Sequence, residues 1–211
     1  MSCHAKMCSL YIVRHGVTSW NQEGRIQGHT DIDLAPEGEA QAQELSKSLQ
    51  GVSFGAAYAS DLSRARRTAD IIAAERNLEV VTSPLLRERY WGRWEGMFFS
   101  ELSKKFNQYF EYQEEHELVV TAESAEIESY HQVARRVVPY FLEVGREHLG
   151  KNVLMVSHGG ILKTLLYHLK DAKFSNPYID NTGYLHVETD GEKLTLKRTH
   201  GITNGHPIHG N

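Results

Sequence analysis

The chain reads as an α/β protein with a mostly parallel central sheet, helices on both faces and an antiparallel C-terminal edge. Three observations carry that reading. Short apolar runs rich in β-branched residues recur at 10–14, 55–60, 79–82 and 152–157, with helical patterns between them. Two last runs, 184–188 and 194–198, flank Asp190-Gly191, a hairpin signal. Alternating strands and helices predict parallel strands joined by crossovers, both faces covered.

The elements follow in order. Residues 10–14 form the first strand. Residues 37–50 (EGEAQAQELSKSLQ) form a helix opened by Pro36, whose fixed φ suits a first turn. Ala35 before it lacks a capping hydroxyl, which should affect local stability. After the strand at 55–60, Asp61 is expected to cap a helix over 62–76, with Ala65, Ala69, Ile72 and Ala73 on one apolar face. The strand 79–82 follows. A helical section is expected from about 100 to 149, with a helical, acidic, lid-like part over 100–128; residues 111–128 carry seven Glu and no Lys or Arg. Residues 152–157 (NVLMVS) are the most apolar run, followed by a Gly-Gly step and a helix over 160–169.

One domain over 1–211 accounts for the whole chain, because no linker or internal repeat divides its 211 residues. The formal net charge of -4 argues against nucleic acid or an anionic membrane as partner, so anion recognition must come from a local cluster of cations. No apolar stretch nears the roughly 20 residues of a membrane span. Cys3 and Cys8 are too few and too close for a disulfide framework, and read as reduced thiols of a cytoplasmic protein. A homodimer is left open. Residues 200–211 (HGITNGHPIHGN) read as a flexible tail, so His200, His206 and His209 are not taken as metal ligands. No G-x-G-x-x-G follows the first strand and no Walker lysine motif is present, which disfavours dinucleotide and P-loop chemistry.

In such sheets the ligand crevice lies beyond the carboxyl ends of the strands. Three strand ends carry polar groups there: Arg14-His15-Gly16, then Ser60-Asp61-Leu62-Ser63-Arg64, then Ser157-His158-Gly159-Gly160. If these strands are neighbours, two imidazoles and two guanidiniums meet in one crevice. They would repel one another without an anion, and a phosphoryl group, with about two charges and three acceptor oxygens, is the natural one.

Five motifs carry a family resemblance. LYIVRHGVTSWN, RIQGHTDIDLAPEGEAQA, SDLSRARRTA, LRERYWGRWEG and VLMVSHGG, in that order over residues 10–160, resemble the histidine phosphatase superfamily, the phosphoglycerate-mutase-like clan. The resemblance implies a phosphoryl-transfer enzyme working without metal or cofactor on a small phosphorylated metabolite. It implies His15 as nucleophile, Arg14, Arg64 and His158 around the phosphoryl oxygens, and Glu88 as general acid and base. Asn21, Gln27, Gly28 and Gly159 would complete the substrate-binding set. A phosphatase is favoured over a 2,3-bisphosphoglycerate-dependent mutase, because the basic insertion typical of mutases is replaced by the acidic segment; an inactive phosphate-binding scaffold ranks third. Tyr90, Trp91, Trp94 and Phe98 are placed around the entrance, with at least two of them expected in the core.

Overall fold

Residues 152–157 are the most apolar run, and they form the strand with both faces covered. In the computed structural model, which describes residues 6–101, 127–170, 173–174 and 176–205, β1 (Cys8–Arg14), β2 (Phe54–Ser60), β3 (Val80–Ser83), β4 (Asn152–Ser157), β5 (Pro177–Thr189) and β6 (Leu194–Asn204) make one sheet. Its order is β3-β2-β4-β1-β5-β6. The first four are parallel, and β5 and β6 are antiparallel at one edge. The fold is the α/β architecture read from the sequence.

The described helices include α1 (Ser19–Glu23), α2 (Pro36–Ser48), α3 (Ser63–Ala74), α4 (Tyr130–Glu147) and α5 (Gly159–His168), of which α2, α3, α4 and α5 pack on the sheet. The strand period of two divides the core between the faces. Leu10, Ile12, Val153 and Met155 pack against Val133, Val137 and Phe141 of α4 and Ile161 and Leu165 of α5. Val13, Leu154 and Val156 pack against Leu45 of α2 and Ala65, Ala69 and Ile72 of α3. Burying each larger side chain stabilises the fold by about 1.5–3 kcal/mol. Small alanines on α3 let that helix sit close to the sheet, and Arg64 rides on it.

Several expectations need correction. Asp61 does not cap α3: Leu62 is the N-cap residue, and Asp61 instead pairs with Arg87, its Oδ1 2.8 Å from Nε and its Oδ2 2.6 Å from Nη2. The first amide of α3, Ser63 N–H, donates to Asp31 Oδ1 at 2.8 Å. The C-terminal hairpin is longer than its apolar runs, because β5 pairs with β6 out to Asn204. Residues 200–204 are therefore strand, not tail, and His200 stacks on Tyr184 at 5.1 Å; His206 and His209 lie outside the described residues. In the helical middle section, α4 begins at Tyr130, and residues 102–126 of the acidic segment lie outside the described residues. None of the four entrance aromatics joins the core: Tyr90 and Phe98 are exposed, and Trp91 and Trp94 are half-buried. The short helix α1, closed by a Thr18–Asn21 capping box, has no counterpart in the sequence reading. Among the described residues, no helix is long and apolar enough to cross a membrane.

Ala35 stands at the N-cap of α2 in extended geometry and makes no side-chain cap bond. Ala35→Ser should raise the unfolding free energy by about 1 kcal/mol, read from the denaturant midpoint, with activity unchanged. A midpoint at or below wild type would show that the cap position is not limiting.

Candidate active site

Register alone brings two imidazoles together. Arg14 lies opposite Ser157 at the ends of paired β1 and β4, and His15 N–H donates to Ser157 O at 3.0 Å. The next residues on the two strands are therefore neighbours, and the His15 and His158 rings lie 5.1 Å apart at 63°. Gly16 permits the turn after β1, since a Cβ there would overlap the Gly38 carbonyl of α2. Gly16 N–H donates to Thr68 Oγ1 of α3 at 3.1 Å, which ties this loop to the helix carrying Arg64.

The His15 ring is fixed by its own loop. Nδ1 lies 2.7 Å from Gly16 O. A carbonyl only accepts, so Nδ1 carries the hydrogen and Nε2 keeps its lone pair. Burial holds the His15 pKa well below the usual 6.5, and the Arg64 and Arg14 charges push it the same way. Burial likewise depresses His158, helped by Arg64 and by His15. Both imidazoles are thus neutral in the folded protein at pH 7.

The two guanidiniums are buried and only partly satisfied. Arg14 Nη1 donates to Ile179 O, and Arg64 donates to Thr30 O at 2.9 Å and Gly28 O at 2.8 Å. Burial lowers the Arg64 pKa to about 10, against the attraction of Glu88, Asp31 and Glu95, and it lowers Arg14 as well. Arg14 Nε, Arg64 Nε and both ring nitrogens of His158 are buried with no hydrogen-bond partner among the described residues. Buried polar groups are nearly always paired, so a cluster of unpaired ones around His15 marks a site for an acceptor-rich ligand.

Glu88 closes the constellation. Its Oε2 accepts from Gly160 N–H at 3.1 Å, in the first turn of α5, and its Oε1 from Arg89 N–H at 2.7 Å. The Glu88 carbonyl lies 2.7 Å from His29 Nε2 and accepts from Arg136 Nη2 at 3.1 Å. Gly159 lies beside Arg14, 3.4 Å from its Nε to a built Cβ. Arg14, His15, Arg64, Glu88, His158 and Gly159 therefore meet at one end of the sheet.

The other predicted residues stand differently. Asn21 Oδ1 accepts from Thr18 N–H and Oγ1–H, both at 3.1 Å, and lies 3.4 Å from Asn181 Nδ2. Gly28 reaches the site through its carbonyl, which holds Arg64. Gln27 is buried beside it, with Oε1 unpaired. The sequence reading missed Asn181, whose Nδ2 donates to His15 O at 3.1 Å, and Thr182, whose positive φ of 60° marks the irregular stretch of β5. Asn181-Thr182-Gly183, a turn-like triplet inside a strand, was the available signal. Among the described residues, no group of three or more His, Cys, Asp or Glu side chains is placed to hold a metal ion.

The chain is similar to known proteins over most of its length. The family model of the histidine phosphatase superfamily (branch 1) matches residues 10–200. Phosphoglycerate mutase-like protein 4 of Arabidopsis thaliana is 34% identical over 89% of this chain and 83% of its own. Metal-independent phosphoserine phosphatase from the same plant is 33% identical over 80% of this chain and 71% of its own. A crystal structure of phosphoglycerate mutase from Bacillus anthracis superposes with a TM-score of 0.80 at 25% identity, covering 92% of each chain.

The neutral buried imidazoles make a pH prediction. In the unfolded chain His15 and His158 take up protons below about 6.5, but in the folded protein they do so only at much lower pH. The unfolded state then binds more protons, so stability is retained above pH 6.5 and falls as pH drops from there towards the folded-state values. Each histidine contributes a slope of about 1.4 kcal/mol per pH unit. Urea unfolding between pH 7 and 5 should show the decline, and His158→Gln should flatten it by about one such slope; an unchanged slope would mean that His158 is charged when folded.

Proposed function

This chain belongs to the histidine phosphatase superfamily, whose members compared above are phosphatases or mutases, and on that premise we propose that it is a phosphomonoesterase working through phosphohistidine. The observation that carries the reading is the 2.7 Å contact of His15 Nδ1 with Gly16 O: the carbonyl draws the hydrogen to Nδ1, so Nε2 keeps the lone pair of a nucleophile.

The reaction has two displacements. His15 Nε2 attacks phosphorus in line with the ester oxygen; the P–N bond forms and the P–O bond breaks. Glu88 gives its proton to the leaving alkoxide. The Glu88 carboxylate then takes a proton from water, and the hydroxide attacks phosphorus. The P–N bond breaks, its electron pair returns to Nε2, and orthophosphate leaves. Arg14 Nε, Arg64 Nε and one His158 N–H are the donors for the phosphoryl oxygens, which gain charge in the transition state. Asn21 and Gln27 add neutral donors, and Gly159 lets the phosphoryl group approach the start of α5. No step passes through a metal.

The substrate class we assign is a small phosphorylated metabolite. A bisphosphoglycerate-dependent mutase is the second reading, favoured by the mutases among the similar proteins and opposed by the acidic composition of residues 111–128. The two short-spaced cysteines and the mildly acidic charge support a cytoplasmic setting.

Activity on p-nitrophenyl phosphate should persist in EDTA and be blocked by vanadate. His15→Ala should lose both turnover and acid-labile phosphate on the protein; normal labelling of that variant would refute the nucleophile. With 2,3-bisphosphoglycerate and 3-phosphoglycerate together, orthophosphate without 2-phosphoglycerate supports the phosphatase, and 2-phosphoglycerate supports the mutase.

A further inference from the structure

Glu95 lies outside the catalytic cluster yet accepts four hydrogen bonds. Oε1 takes His29 N–H at 2.9 Å and Trp91 N–H at 3.2 Å. Oε2 takes Thr30 N–H at 2.9 Å and Thr30 Oγ1–H at 2.8 Å. The carboxylate fits only because residue 28 is glycine: φ there is +55°, and a Cβ would overlap Glu95 Oε1. These donors belong to the loop whose carbonyls hold Arg64. His29 N–H and Gly28 C=O are two ends of one peptide unit, hydrogen-bonded to Glu95 on one side and to Arg64 Nη2 on the other. Thr30 joins the same two side chains through its two flanking peptides, with the N–H of the 29–30 peptide on Glu95 and the C=O of the 30–31 peptide on Arg64 Nη1.

We infer that Glu95 is the positioning residue for Arg64, acting through the Gly28–His29 peptide group and the backbone of Thr30. Arg64 has a single planar fork. With Nη1 and Nη2 committed to Thr30 O and Gly28 O, the guanidinium plane is fixed and Nε, buried and unpaired, is presented to the crevice. The carboxylate polarises the Gly28–His29 peptide unit and strengthens its carbonyl as an acceptor, and its bonds to Thr30 hold the second carbonyl in place. Its charge also favours the buried guanidinium directly, an ion pair relayed through backbone. Glu95 touches no substrate. The inference rests on the phosphatase reading only in taking Arg64 as a phosphoryl ligand.

The test is a double-mutant cycle read on an anion rather than on turnover alone. Glu95→Gln keeps the shape but presents an amide to the loop donors; it should weaken vanadate inhibition and lower kcat/KM for p-nitrophenyl phosphate by about tenfold or more. In an Arg64→Ala background the same substitution should change vanadate affinity by less than about twofold, because coupled residues are not additive. Thr30→Val, which removes one of the four bonds, should fall between wild type and Glu95→Gln, and serves if the latter does not fold. Glu95→Asp should not restore wild-type affinity, since its shorter arm cannot span residues 29, 30 and 91. Equal effects of Glu95→Gln with and without Arg64, or a loss of melting temperature with vanadate affinity unchanged, would overturn the inference. A wild-type protein that binds vanadate but leaves phosphomonoesters intact would refute the phosphatase reading alone.

Discussion

Two guanidiniums buried beside two imidazoles, with no carboxylate among the described residues paired to either guanidinium by a salt bridge, form the constraint around which the surrounding loops are arranged. Desolvating a cation costs several kcal/mol unless its donors are satisfied. Here the compensation comes from backbone carbonyls: Ile179 O for Arg14, and Gly28 O and Thr30 O for Arg64. Carbonyls reduce that cost without neutralising the charge, so the field in the crevice stays positive. A carboxylate in their place would satisfy the arginines and exclude the anion. The same field, with burial, keeps His15 and His158 neutral. On the proposed mechanism, one arrangement therefore provides both an anion site and a nucleophilic imidazole.

The sheet explains how few contacts are needed to build it. Because β1 and β4 are parallel neighbours in register, His15 and His158 leave the sheet side by side at the same end. Arg64 comes from the start of α3, which follows β2 on the other side of β4. The antiparallel strand β5 supplies what a parallel neighbour would not: its irregular stretch between Ile179 and Tyr184 turns Asn181 and Thr182 towards the His15 carbonyl. A ladder without this irregularity would run past β1, and its polar residues would face the wrong way.

The parts legible in the sequence were those set by local pattern. The ends of β4 coincide with the apolar run NVLMVS, and the site residues were recognisable because Arg14-His15-Gly16 and Ser157-His158-Gly159 stand at strand ends. What escaped was decided by partners distant in the chain. Asp61 has the composition of a helix cap, but the fork of Arg87 offers it two charge-assisted bonds, and the α3 amide is capped by Asp31 instead. The Gly-rich residues after His200 read as a tail, yet β5 is long enough to pair with them to Asn204. Helix α1, five residues long, is too short to show a period and depends on its capping box. The bonds of Glu95 to His29 and Thr30 join residues 66 and 65 positions apart, which no window on the sequence spans.

Glu88 and Glu95 come from one short segment and show how placement divides labour between identical side chains. Glu88 follows the 3-10 turn Pro84–Leu86, and its carboxylate reaches the amide of Gly160 in the first turn of α5, beside the histidines. There it stands at the start of α5, next to the paired imidazoles. Glu95 follows the turn Gly92–Trp94 and holds the backbone of the loop whose carbonyls bind Arg64. A carboxylate at either position adds negative charge near an anion site. On the proposed mechanism Glu88 is tolerated because it meets the leaving group, and Glu95 because the backbone of residues 28–30 stands between it and Arg64, relaying its charge as a stronger hold.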